Sequence, residues 1–240
     1  MQRLRLRYGP RKGWVYLREL RGDDEESIAG TDTWSAIALV DRLLVAVPGS
    51  AIGPGGAIEL GAADRDRLLA AIMRRELGER VTATIVCSAC RAQLDLDFAL
   101  GDLIADLDAR ATEVGDESVR LPSGHDELAA AASDDPLGVL VRACTPDDDA
   151  GVAAISAALE ARAPIVDLEL EAACADCGRV TPVRFSIQHY LLGAVIGEAR
   201  RRATEVHQLA RGYGWSLAEI LTLSRKRRRD YVALCERGRA

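Results

Sequence analysis

Four of the six cysteines fall into two Cys-x-x-Cys pairs, Cys87 with Cys90 and Cys174 with Cys177. A turn of this kind offers two thiolates from one tight knuckle, and two knuckles complete a tetrahedral shell for zinc. The 83 residues between the pairs exceed the usual spacing of about 15 to 20. The extra loop closure costs only about 1.4 kcal/mol, against roughly 10 to 16 kcal/mol returned by a structural zinc ion. Four thiolate ligands leave no open position for substrate, so the expected ion is structural. Two local disulfides, a redox pair or a different metal stay open as alternatives. A thioredoxin-like pair opens a helix, whereas strand patterns follow both pairs here.

Other chemistry-bearing residues lack such spacing. Cys144 and Cys235 have no partner motif, and His125, His189 and His207 form no metal or triad arrangement. The acidic runs Asp23-Asp-Glu-Glu26, Asp134-Asp135 and Asp147-Asp-Asp149 lack the order of a calcium loop and read as helix starts and exposed turns. Gly53-Pro-Gly-Gly56 is followed by no Lys-Ser or Lys-Thr and reads as a flexible loop. Tyr213 and Trp215 form either an exposed partner-binding pair or a clamp at a helix corner. Arg225-Lys226-Arg227-Arg228-Arg229 would spread its charge around a helix rather than present one phosphate-gripping face.

The elements that must position the cysteines repeat along the chain. Both knuckles read Cys-x2-Cys-x7-Phe, ending at Phe98 and Phe185. Each follows an apolar helical pattern (64–77 and 151–161) and a strand pattern (81–86 and 165–170), and a second strand pattern comes after each (93–98 and 181–187). Upstream, a short strand from Val15 leads to Asp24-Glu25, as one from Val119 leads to Asp126-Glu127. The expected fold is α+β: a duplicated helix, strand, CxxC, strand unit joined by a four-cysteine zinc ribbon, then an α-helical module. The segments are 1–110, 111–188 and a basic helical 189–240. In the last, a stripe over 187–210 ends at Gly212, Ser216 to Glu219 is a capping box, and a helix follows over 225–235.

The 240 residues are 48% hydrophobic but only 4% aromatic, so the core is expected to be aliphatic and largely helical. The formal charge of −6 argues against general affinity for nucleic acid. It conceals a tail of +7 from Ala199 onward on a body of −13. No apolar run approaches a membrane span and no export signal is visible, so the expected location is cytoplasmic.

The residues Leu17-Arg-Glu-Leu-Arg-Gly-Asp-Asp-Glu25, Leu121-Pro-Ser-Gly124, the two knuckles and Glu205-Val-His-Gln-Leu-Ala-Arg-Gly-Tyr-Gly-Trp215-Ser-Leu-Ala-Glu-Ile-Leu221 carry a resemblance. Together they resemble the T-even-phage-type baseplate hub-assembly (chaperone) family and its relatives encoded beside bacterial contractile injection systems. The similarity spans nearly the whole chain, and the zinc-ribbon duplication is its departure from the phage members. The resemblance implies a non-enzymatic assembly factor or structural subunit whose partners are baseplate or hub proteins, with Tyr213, Trp215 and Arg225 to Arg229 as candidate partner-binding residues. The competing expectation is a zinc-ribbon nucleic-acid-binding or regulatory protein that uses the basic C-terminal helix.

Overall fold

A computed structural model describes residues 1–111, 119–145 and 151–237. The acidic run Asp147–Asp149 lies outside them. The chain opens with a hairpin of β1 (Gln2–Leu6) and β2 (Gly13–Leu17). In β1 the leucines turn inward and Arg3 and Arg5 stay exposed, as period-two alternation requires. α1 (Gly22–Glu26) and α2 (Thr33–Leu43) follow, and Asp32 caps α2 by accepting from the Ser35 amide at 2.9 Å.

A single 3-10 turn, Ala57–Glu59, leads to α3 (Ala62–Glu76). Next come β3 (Arg80–Val86), β4 (Gln93–Ala99) and α4 (Leu100–Arg110). α5 (Gly124–Ala131), α6 (Pro136–Cys144) and α7 (Val152–Arg162) precede β5 (Asp167–Ala173) and β6 (Val180–Ser186). α8 (Ile187–Gly197), α9 (Ala199–Tyr213), α10 (Leu217–Leu221) and α11 (Arg225–Arg237) close the described chain.

The architecture is mixed α and β, with three two-stranded antiparallel hairpins among the described residues. Two expectations from periodicity need correction. Val119 forms no strand, so among the described residues β2 has no counterpart before α5. The stripe over 187–210 is two helices, because Gly197 weakens the helix at Glu198. The Arg202 guanidinium then donates to the Val195 carbonyl beside the break. α9 also runs past Gly212 and ends at Gly214, whose φ of 70° suits a residue without a Cβ.

One hydrophobic core takes residues from all three sequence segments, from Leu6 and Leu17 through Leu68 and Ile72 to Phe185, Leu191 and Val195. At its centre α3 places four successive charged residues. Asp64 accepts from the backbone amides of Arg7, Tyr8 and Gly9, with the closest at 2.8 Å. Arg65 grips Glu127 of α5 through two bonds of 3.0 and 2.6 Å. Asp66 accepts from the Val166 amide at 2.7 Å, and Arg67 holds Asp108 at 2.7 Å and the Pro164 carbonyl. Successive residues on a helix point about 100° apart. One polar tetrapeptide therefore fastens four distant segments.

The C-terminal helices dock through a second buried ionic cluster. Glu25 on α1 is fully enclosed and meets Arg228 at 2.5 Å, Arg225 at 2.8 Å and Arg202 at 3.6 Å. Glu198 and Glu205 balance these arginines at 2.6 and 3.2 Å. Gly22 permits the approach: a Cβ there would lie 2.7 Å from Leu221 and 2.9 Å from Arg228. The run Asp23 to Glu26 does begin a helix, but Asp24 and Glu25 are buried rather than exposed: Arg18 and Arg42 enclose Asp24, and the basic tail folds back onto Glu25.

Glu25→Ala should therefore destabilise the protein by up to about 3 to 5 kcal/mol, since the buried Arg225 and Arg228 each lose one of two carboxylate partners; urea unfolding measures it. Burial pushes the Asp66 carboxyl up to about 6, against the pull of the Val166 amide. The stability this group contributes is complete below its unfolded pKa near 4 and is lost as pH rises through about 6. Asp66→Asn should thus gain up to about 3 kcal/mol at pH 7 and almost nothing at pH 4. Equal gains at both pH values would exclude ionisation as the cause.

Candidate metal centre

Two hairpins bring the four paired cysteines together. β3 and β4 run in register from Arg80 opposite Ala99 to Val86 opposite Gln93, and β5 and β6 from Asp167 opposite Ser186 to Ala173 opposite Val180. Both stretches are seven residues long and end in a CxxC turn. The turns close identically. Cys87 donates its amide to the Ala92 carbonyl and accepts from the Arg91 amide, at 2.9 and 3.0 Å. Cys174 donates to Arg179 and accepts from Gly178, at 2.8 and 2.9 Å. The fourth residue after each first cysteine is left-handed: Arg91 has φ 67° and Gly178 φ 71°.

The Sγ atoms of Cys87, Cys90, Cys174 and Cys177 all lie within 4.8 Å of one another. Cys87 faces Cys177 at 3.8 Å, and Cys90 faces Cys174 at 3.6 Å. A tetrahedron of sulfurs bonded to zinc has edges of about 3.8 Å, whereas a disulfide needs about 2.05 Å. The cage has the size for a metal ion, and none of the six cysteines is in a disulfide. Strands, not helices, leave both knuckles. Cys87 and Cys174 are buried beside Leu94, while Cys90 and Cys177 face outward.

The electrostatics favour the same reading. Backbone amides of Cys90 and Ala89 point at the Cys87 sulfur and lower its pKa to about 6. Cys90 receives the Ala92 amide, yet hydrogen bonds with Cys177 and Cys174 push it up to about 12. Cys177, despite the Arg179 amide and the Cys90 thiol, is also raised, by desolvation and by hydrogen bonds with Cys174 and Cys87. One thiolate forms readily and the next ones are resisted, a conflict that a cation among them removes.

At the other end of the hairpins the chain's two phenylalanines meet: Phe98 and Phe185 are edge to face at 5.1 Å. Tyr190 of α8 packs on Phe185, and its hydroxyl bonds to both the amide and the carbonyl of Thr82, each at 3.1 Å. Two hairpins that share no sheet therefore meet twice, through the clustered sulfurs at the tip and the aromatic rings at the base. The recurring phenylalanine was visible in the sequence, but nothing local marked Tyr190 as their third partner.

The other sequence candidates separate. Tyr213 stacks on Trp215 at 4.7 Å, and both meet Tyr231 of α11 edge-on, so the pair forms a helix-corner clamp with Tyr213 still exposed. Of the five basic residues, Arg225 and Arg228 are buried against Glu25, and Arg229 is half-buried beside Glu198 and Glu205. Lys226 and Arg227 alone among the five are exposed. Buried Arg225 and Arg228 thus hold the fold and are not an accessible partner surface. Cys144 sits in a small apolar cluster with Val119 and Ile155, and Cys235 packs on Gly212. Comparison of the chain with protein-family models, curated proteins and solved structures finds no match.

The paired turns make a test of opposite signs. A left-handed residue with a Cβ costs roughly 1 to 2 kcal/mol, and open space surrounds Gly178. Gly178→Ala should cost about 1 kcal/mol, while Arg91→Gly should be neutral or stabilising; urea unfolding of metal-loaded protein compares them.

Proposed function

We propose that the protein is a non-enzymatic structural or assembly subunit, built as two related halves clamped by one zinc ion, that acts by binding other proteins. The observation that carries this reading is the closed cage of four thiols, whose spacing suits zinc and leaves no position for substrate. Its intracellular setting would keep those thiols reduced.

The two halves share more than their knuckles. Arg18 grips Asp24 and Arg120 grips Asp126, both bidentate and both across six residues. Each aspartate accepts the amide three residues before it, of Arg21 or Ser123. Gly22 and Gly124 then open the helices and donate their amides to Leu223 and Leu60. The next acid, Glu25 or Glu127, takes an arginine five residues beyond that leucine, Arg228 or Arg65. This correspondence supports a tandem duplication in which α11 serves the first half as α3 serves the second.

The specific setting follows from the resemblance: a subunit or assembly chaperone of the baseplate or hub in a phage-tail-like contractile particle. Among the described residues no helix is long and apolar enough to cross a membrane. The alternative, nucleic-acid binding through the basic helix, is disfavoured because Arg225 and Arg228 neutralise Glu25.

Two experiments test the reading. Metal analysis should find one zinc per chain, lost together with secondary structure in Cys87→Ser or Cys174→Ser; unchanged stability in metal-free protein would overturn the clamp. Co-expression with sheath, tube and baseplate proteins should recruit the chain to particles or their assembly intermediates. Its absence from both, or salt-dependent oligonucleotide binding that vanishes on neutralising Lys226 and Arg227, would overturn the assembly role.

A further inference from the structure

We infer that copies of the chain associate head to tail, the free edge of β1 in one copy pairing with the free edge of β5 in the next. β1 reads Arg3-Leu4-Arg5-Leu6 and runs into Arg7; β5 opens Asp167-Leu168-Glu169-Leu170-Glu171. Both strands turn their leucines toward the core and their charges outward. Aligned antiparallel, Arg3 stands opposite Glu171, Leu4 opposite Leu170, Arg5 opposite Glu169, Leu6 opposite Leu168 and Arg7 opposite Asp167. Directly opposed unlike charges stabilise a strand pair, and like charges crowded on one face destabilise it. Each strand supplies what the other lacks.

Both edges are available. β1 pairs only with β2 and β5 only with β6, and no other backbone hydrogen bond is made by residues 2–6 or 167–173 among the described residues. A strand edge left with unused amides and carbonyls is a template for another chain. Beside β1 a groove of about 430 Å³ runs between the strand and α3, floored by Leu4, Leu68 and Ala71. Arg5, Glu169 and Glu171 have no ion-pair partner among the described residues, and Arg3 only lies over the Trp14 ring at 3.8 Å. Arg7 and Asp167, at the end of the register, are already held by Asp108 and Arg184, so the complementary charge lies in Arg3 and Arg5 against Glu169 and Glu171. In the other acidic strand, β4, both outward acids are engaged: Asp97 by Arg80 and Asp95 by Thr84.

The surfaces are different patches of one molecule, so the contact is heterologous and propagates into a ring or a filament. A single short strand gives weak, salt-sensitive association. Sedimentation velocity on the full-length, zinc-loaded chain at about 50 mM salt should show a concentration-dependent ladder of oligomers that dissolves at about 500 mM. The double variants Arg3→Glu with Arg5→Glu, and Glu169→Arg with Glu171→Arg, should each weaken association about tenfold or more. Both alter exposed side chains, and thermal melting checks that they remain folded. Mixing the two, or combining all four substitutions in one chain, should restore the ladder. A monomer at every concentration at low salt, or oligomers indifferent to both reversals, would overturn the inference, and so would failure of the mixture to reassociate.

Discussion

A charge taken out of water must meet an opposite charge or a set of dipoles, and this protein answers that demand repeatedly. Only 4% of its residues are aromatic, so large apolar side chains cannot alone determine how the segments sit. Paired ions and aimed amides do much of that work. On α3, Asp64, Arg65, Asp66 and Arg67 each fasten a different part of the chain. Around Glu25, three arginines bring the last helices onto the first. Such contacts add less net stability than apolar burial would, but they penalise any arrangement that leaves a charge unpaired.

The cysteine cage poses the same problem with four potential anions. Its backbone amides stabilise the first thiolate, and the crowding of the sulfurs opposes those that follow. A divalent cation there would resolve the conflict and at the same time join two hairpins that are too small to be stable separately. The Phe98 and Phe185 rings meet at the base, so the hairpins are held together at that end and stay close to the common core. The internal charges of the body are largely matched, which leaves the unmatched ones as those available to a partner.

Those unmatched charges are not where charge counting along the chain suggested. The run Arg225 to Arg229 dominates the sequence as a basic feature, yet its inward members neutralise an acidic helix start. The alternating arginines of β1 are less conspicuous, and they remain exposed along an open strand edge. Whether a charge is available to a partner depends on what the fold has already set against it.

Local units were legible in the residues alone. Spacing singled out the four cysteines that cluster and the paired strands, because a CxxC turn and period-two alternation are properties of a few adjacent residues. The capping box at Ser216 and Glu219 was legible for the same reason and forms as expected. Packing decided that Glu25 and Arg228, 203 residues apart, are partners, and that Val119 joins no strand. Each of these depends on which distant group comes close enough to compensate a charge or fill a hydrogen bond. Local pattern carries no information on that proximity; packing creates it.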